Sequence, residues 1–133
     1  MLGRVPLFEG LSKGELRAVL RSSQEVDHPA GKEVVREGTE GTGFHLILAG
    51  DATVIQGGRR KRSLGPGDYF GDIALIDRGP RTATVRADTD MHTLSIAAWH
   101  FKPLLHEHPK MAFKLLIELC RRLRAAESAT PVS

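Results

Sequence analysis

At 133 residues, with 41% hydrophobic and 26% charged side chains, the chain suits a single globular domain and is too short for a second, catalytic one. A net charge of +3 is too small to argue nucleic-acid binding, and no apolar run approaches the roughly 20 residues that span a bilayer. Cys120 is the single cysteine, which excludes an internal disulfide, and Met1-Leu2-Gly3-Arg4 passes at once to Pro6 with no signal-peptide core, so a cytoplasmic protein is expected.

Along the chain, Ser12-Lys13-Gly14-Glu15 is a capping-box pattern, and Leu16, Val19 and Leu20 follow at helical spacing, so a first helix of about ten residues is expected with Phe8 stapling its entry. From about Gln24 to Ile96 the texture changes to short β-like runs: Lys32 to Arg36, Phe44 to Leu48, Ala52 to Gln56 and Met91 to Ile96. Gly57-Gly58 reads as a two-residue hairpin turn leading into Arg59-Arg60-Lys61-Arg62. Strand alternation lets at most two of those four cations share a face, so the run reads as a solvated, aggregation-blocking edge rather than a DNA or lipid surface. The helical period returns from Ala97, with Pro103 near a helix start and Pro109 between two helices. The last helix, about Lys110 to Ala126, is expected to bury an apolar seam of Phe113, Leu116, Ile117, Cys120 and Leu123, with Leu115 and Leu119 away from its centre. Trp99 is expected in the core. The six histidines show no ligand spacing, so no metal site is expected.

The segment Phe70-Gly71-Asp72-Ile73-Ala74-Leu75, followed by Gly79-Pro80-Arg81-Thr82-Ala83, carries the chemistry. A glycine turn entering a short helix presents backbone N–H groups at the positive end of the helix dipole, where an anion is welcome. Gly79-Pro80 must end that helix, and Arg81 then opens a strand-like run to Arg86 with a planar fork of donors suited to phosphate oxygens. Asp72 would repel a phosphate, so it is read as an acceptor for sugar hydroxyls. A phosphate with hydroxyls beside it means a nucleotide.

These residues resemble the phosphate-binding cassette of the cyclic nucleotide-binding domain family. So do Phe8 with Leu11-Ser12, Glu37-Gly38, Phe44 to Leu48 with Gly50, and Leu64 to Gly71, which together span nearly the whole chain. The resemblance implies an α+β fold: an antiparallel β-roll (a double-stranded β-helix, jelly-roll-like) flanked by N-terminal and C-terminal helices. Residues 1–128 would form one domain and 129–133 a flexible tail. It implies a regulatory sensor with no enzymatic activity, in which Gly71, Ile73, Ala74, Arg81 and Ala83 hold the cyclic phosphate, Asp72 the ribose hydroxyl, and Thr82 the phosphate or base. Asp72 stands where the family usually has Glu, which removes roughly 1.5 Å of reach at ordinary bond lengths. Cyclic AMP is favoured over cyclic GMP as ligand, no further cofactor is implied, and a bacterial origin fits. Residues 119 to 123, Arg122 among them, are candidates to cap the base. Output would pass through the cassette and C-terminal helices to an unidentified domain or partner. The last helix is a candidate dimer surface, and no helix-turn-helix or direct nucleic-acid contact is expected. Two other readings stay open: a cupin-like metal-dependent β-roll enzyme, and an interaction module whose nucleotide site has degenerated.

Overall fold

The computed structural model describes Phe8 and residues 10–39, 43–71 and 81–129. In order these form α1 (Lys13–Arg21), β1 (Ser23–His28), β2 (Glu33–Val35), β3 (Gly43–Ala49), β4 (Ala52–Gln56), β5 (Arg59–Leu64), β6 (Tyr69–Phe70), β7 (Thr84–Ala87), β8 (Met91–Ala97), α2 (Ala98–Glu107) and α3 (Pro109–Ala129). The strands make two four-stranded antiparallel sheets, ordered β1-β8-β3-β6 and β2-β7-β4-β5. Short strands that cross between two sheets give the β-roll, with helices at either end of the chain.

Local chemistry sets the element ends. Ser12 Oγ accepts from Glu15 N–H at 3.1 Å while Glu15 Oε1 accepts from Ser12 N–H at 3.0 Å, the reciprocal capping box. Gly57 and Gly58 both have positive φ, 60° and 75°, the geometry a two-residue hairpin needs to match the twist of β4 and β5. β1, with its polar sequence Ser-Gln-Glu-Val-Asp-His, carries no alternating apolar signal; its ladder with β8 makes it a strand. The run expected from Arg81 becomes a strand only at Thr84.

Strand alternation divides the core in two. From the first sheet, Phe44, Leu46, Leu94 and Ile96 face the helices and pack with Phe8, Val19, Phe101, Leu104, Met111 and Leu115. The opposite face looks into the roll, where Ile47, Phe70 and Met91 meet Ala52, Leu64, Val85 and Ala87 of the second sheet or its flanks.

Two helical assignments are corrected. Trp99 is 73% exposed: α2 turns Phe101 and Leu104 inward, and a residue two places before Phe101 lies about 200° around the helix, on the outside. On α3 the buried stripe is Met111 and Leu115, with Leu119 partly buried, whereas Phe113, Leu116, Ile117, Cys120 and Leu123 are exposed. The helix carries two apolar stripes, and this domain covers only the smaller one. Pro103 lies inside α2 rather than near its start. α3 runs through Ala129, where the tail was expected to begin; residues 130–133 and the short helix expected after Gly71 lie outside the described residues.

Candidate functional site

Gly71 ends β6 with φ +92°, a left-handed conformation that favours glycine. A Cβ there would sit 2.6 Å from Gly43 O and 2.7 Å from Arg81 Nη1, so the position has no room for a side chain. Arg81 is the reason for that crowding. Only 4% exposed, it donates from Nη1 to Gly71 O at 2.8 Å and from Nη2 to Gly43 O at 2.6 Å. Its backbone is held as firmly: Arg81 N–H donates to Thr39 O and Gly38 N–H donates to Arg81 O, both at 2.8 Å. Arg81 thus ties three segments together: its guanidinium holds the residue after β6 and the start of β3, and its backbone holds the turn after β2.

Arg81 and Gly71, ten residues apart in sequence, are therefore in direct contact. Thr82 is exposed, and its carbonyl accepts from Gln56 Nε2 at 3.0 Å; Ala83 is half-buried where the chain enters β7. Asp72, Ile73 and Ala74 lie outside the described residues. From α3, Arg122 lies 5.1 Å from the ring centroid of Tyr69, which links the last helix to the strand that leads into Gly71.

Two participants were not assigned from sequence, Gly43 and His45, both on β3. His45 stacks on Phe70, centroids 5.0 Å apart, and its Nε2 lies 3.8 Å from where a Gly43 Cβ would be. Burial first, then the Arg81 charge, then His28 push its pKa down to about 4, so the ring is neutral near pH 7. A lone imidazole inside the apolar run Phe44 to Leu48 was the available signal. Among the described residues, no group of three or more His, Cys, Asp or Glu is placed to hold a metal ion, and no helix is long and apolar enough to cross a membrane.

The fold and site define the class: a β-roll domain between terminal helices, with a buried arginine held against a glycine turn. The chain belongs to the cyclic nucleotide-binding domain family, which matches residues 25–108. Over 112 residues, 84% of this chain, it is 40% identical to potassium/sodium hyperpolarization-activated cyclic nucleotide-gated channel 3 of Homo sapiens, spanning 14% of that protein. It is also 30% identical over 132 residues to the CRP-like cAMP-activated global transcriptional regulator of Mycobacterium tuberculosis, covering 93% of this chain and 58% of the relative. Among solved structures, the Thermus thermophilus catabolite activator protein superposes with a TM-score of 0.85 at 33% identity, covering 92% of this chain and 60% of that one. The chain thus spans a seventh of the channel and little over half of the regulator.

Proposed function

We propose that residues 1–128 form one cyclic-nucleotide sensor domain, cytoplasmic and without chemistry of its own, that binds cyclic AMP in preference to cyclic GMP. The observation that carries the reading is the Arg81 guanidinium, buried and held in a fixed plane by the Gly71 and Gly43 carbonyls at a glycine with no space for a side chain. A preset fork of charged donors suits a cyclic phosphate. In this reading Arg81, with the backbone of Gly71, Ile73, Ala74 and Ala83, takes the phosphate, Asp72 a ribose hydroxyl, and Thr82 the phosphate or base. The preference for cyclic AMP draws support from the bacterial relative, whose name describes it as cAMP-activated.

Output is proposed to run through α3. The Arg122–Tyr69 contact couples that helix to β6, so a ligand that moves the segment after Gly71 biases where α3 lies. The uncovered stripe, Phe113, Leu116, Cys120 and Leu123, repeats at intervals of three and four residues, the spacing of a two-stranded coiled-coil seam. A second copy of the chain is the partner proposed for it, with an output domain or protein reading the change.

Calorimetric titration with cyclic AMP, cyclic GMP and linear 5′-AMP tests the reading. Cyclic AMP should bind, and Arg81→Ala should weaken it by about 1.5–3 kcal/mol, the range for a hydrogen bond to a charged group. Because Arg81 also braces three segments, Arg81→Lys, which keeps the charge, is measured beside it with circular dichroism as the folding control. Silence of the wild type toward both cyclic nucleotides refutes the reading. Unchanged affinity in a folded Arg81→Ala variant refutes the phosphate assignment.

A further inference from the structure

The face of the first sheet that looks into the roll carries a line of four polar side chains among apolar ones. His28 Nε2 lies 2.9 Å from Thr93 Oγ1, Thr93 Oγ1 lies 3.1 Å from Ser95 Oγ, and Ser95 Oγ lies 2.7 Å from His45 Nδ1. Thr93 is fully buried and His28 is 5% exposed, which closes that half of the line to solvent, while Ser95 and His45 are half-buried. One end, the His45 ring, is held flat on Phe70 beside Gly43, whose carbonyl accepts from Arg81. The other end, His28 Nδ1, is buried with no hydrogen-bond partner, and His28 lines an open cleft of about 460 Å³ with Asp27, Pro29, Asp90 and His92.

We propose that His45 is a further ligand-responsive residue of the nucleotide site, and that its proton order is relayed through Ser95 and Thr93 to His28 at the far cleft. The proposal rests on the cyclic-nucleotide reading above.

With both rings neutral, the line has two coherent proton orders. In the first, His28 Nε2–H donates to Thr93, Thr93 O–H to Ser95, and Ser95 O–H to a bare His45 Nδ1, leaving His45 Nε2–H. In the second, His45 Nδ1–H donates to Ser95, Ser95 O–H to Thr93, and Thr93 O–H to a bare His28 Nε2, leaving His28 Nδ1–H. The two orders hold equal numbers of hydrogens: passing from the second to the first, the three in-line hydrogens each move one place toward His28, whose Nδ1 gives a proton to water while His45 Nε2 takes one from water, so the net uptake is zero. A mixed order sets two donors or two acceptors face to face, which is costly, most of all at the buried His28–Thr93 link. The groups around the line keep the rings neutral. Arg81 and burial act on His45, while burial, then Lys32 and more weakly His92, lower His28 against the opposing charge of Asp27. The chain between them is uncharged.

An anion beside Arg81 breaks the balance between the two orders. A negative charge attracts an N–H dipole and repels a nitrogen lone pair, so bound cyclic phosphate selects the order with hydrogen on His45 Nε2. His28 must then carry its hydrogen on Nε2 as well, and its buried Nδ1, beside the cleft, loses its hydrogen and becomes a bare acceptor. A ligand at one end of the roll is thereby reported at the other with no movement of the backbone.

The test is the tautomer of each histidine, read by two-bond ¹H–¹⁵N correlation on the ¹⁵N-labelled full chain with and without cyclic AMP. In the free protein the two rings should show the same tautomer populations, with a measurable share of the Nδ1–H order. Saturating cyclic AMP should convert both to Nε2–H. In Thr93→Val, His45 should still convert while His28 no longer follows. His45→Phe, which retains the stack on Phe70, should bind cyclic AMP roughly two- to tenfold more weakly, the worth of one neutral hydrogen bond. Unmatched tautomers in the free protein, or a free protein already wholly in the Nε2–H order, overturn the relay whether or not nucleotide binds. Calorimetric binding with unmoved tautomers also overturns the relay and leaves the nucleotide reading standing. Matched tautomers in a protein that binds no cyclic nucleotide overturn that reading and the ligand-driven switch with it.

Discussion

Replacing Gly71 by alanine separates two effects that usually arrive together, because Gly67 offers a matched control. Both glycines have φ +92°, so an alanine at either carries the same left-handed strain, about 1–2 kcal/mol. Their surroundings differ. A Cβ at Gly67 meets nothing within 4 Å, whereas one at Gly71 falls 2.6 Å from Gly43 O and 2.7 Å from Arg81 Nη1. Neither of those can move alone, since Arg81 Nη2 bonds to the same Gly43 oxygen. Relieving the overlap means giving up at least one hydrogen bond of a buried cation, worth about 1.5–3 kcal/mol. Gly67→Ala should therefore lose about 1–2 kcal/mol and Gly71→Ala about 2.5–5 kcal/mol, a large part of an ordinary domain's stability. Urea and thermal unfolding followed by circular dichroism measure both. At roughly 3–5 °C per kcal/mol for a chain of this size, the midpoints should differ by about 5–15 °C. Equal losses at the two positions would refute the view that Arg81 is clamped against Gly71.

Two histidines give stability opposite dependences on pH. His45 is neutral in the fold with its pKa held down to about 4, while in the unfolded chain it titrates near 6.5, so acidification protonates the unfolded state first and stability falls between those values. The full loss is about 3 kcal/mol at 1.36 kcal/mol per pKa unit; His45→Gln should remove it from urea titrations run between pH 7 and pH 4, and a variant with the wild-type slope would refute the burial. His92 behaves in the reverse sense: hydrogen bonds first to Asp27 at 2.6 Å, then to Glu25, raise its pKa. Its contribution is complete below about 6.5 and is lost as pH rises through the raised value, so wild type and His92→Gln should converge in stability at alkaline pH. A gap between them that stays constant with pH would count against the pairing.

Short-range chemistry was legible from the residues alone. Ser12 and Glu15 are three apart, and Gly57-Gly58 needs only its own φ angles, so neither depends on what packs around it. The pairing of a glycine turn with an arginine ten residues on was also readable, because each residue type suits an anion for its own reason. The partner that locks them, Gly43 O, comes from a strand 28 residues before Gly71, and no local pattern announces it.

On α3, periodicity established that apolar stripes exist, since that follows from residue spacing on one helix. Which stripe meets the core depends on how the helix lies against α2 and the cluster around Phe101 and Leu104, and there Met111 and Leu115 win over the more populated Phe113–Leu123 face. Trp99 follows the same logic, turned out because Phe101 and Leu104 are turned in. The line from His28 to His45 joins residues 65 and 50 positions apart through the β1–β8 and β3–β8 registers, and only sheet pairing brings such residues together. The sequence by itself determined the family, the capped helix, the hairpin and the pairing of Gly71 with Arg81, all of which rest on contacts within a few residues or on motif chemistry. The tertiary structure decided which apolar face is buried, what clamps Arg81, and that a polar line joins His28 to His45, because each depends on segments distant in the chain meeting at one place.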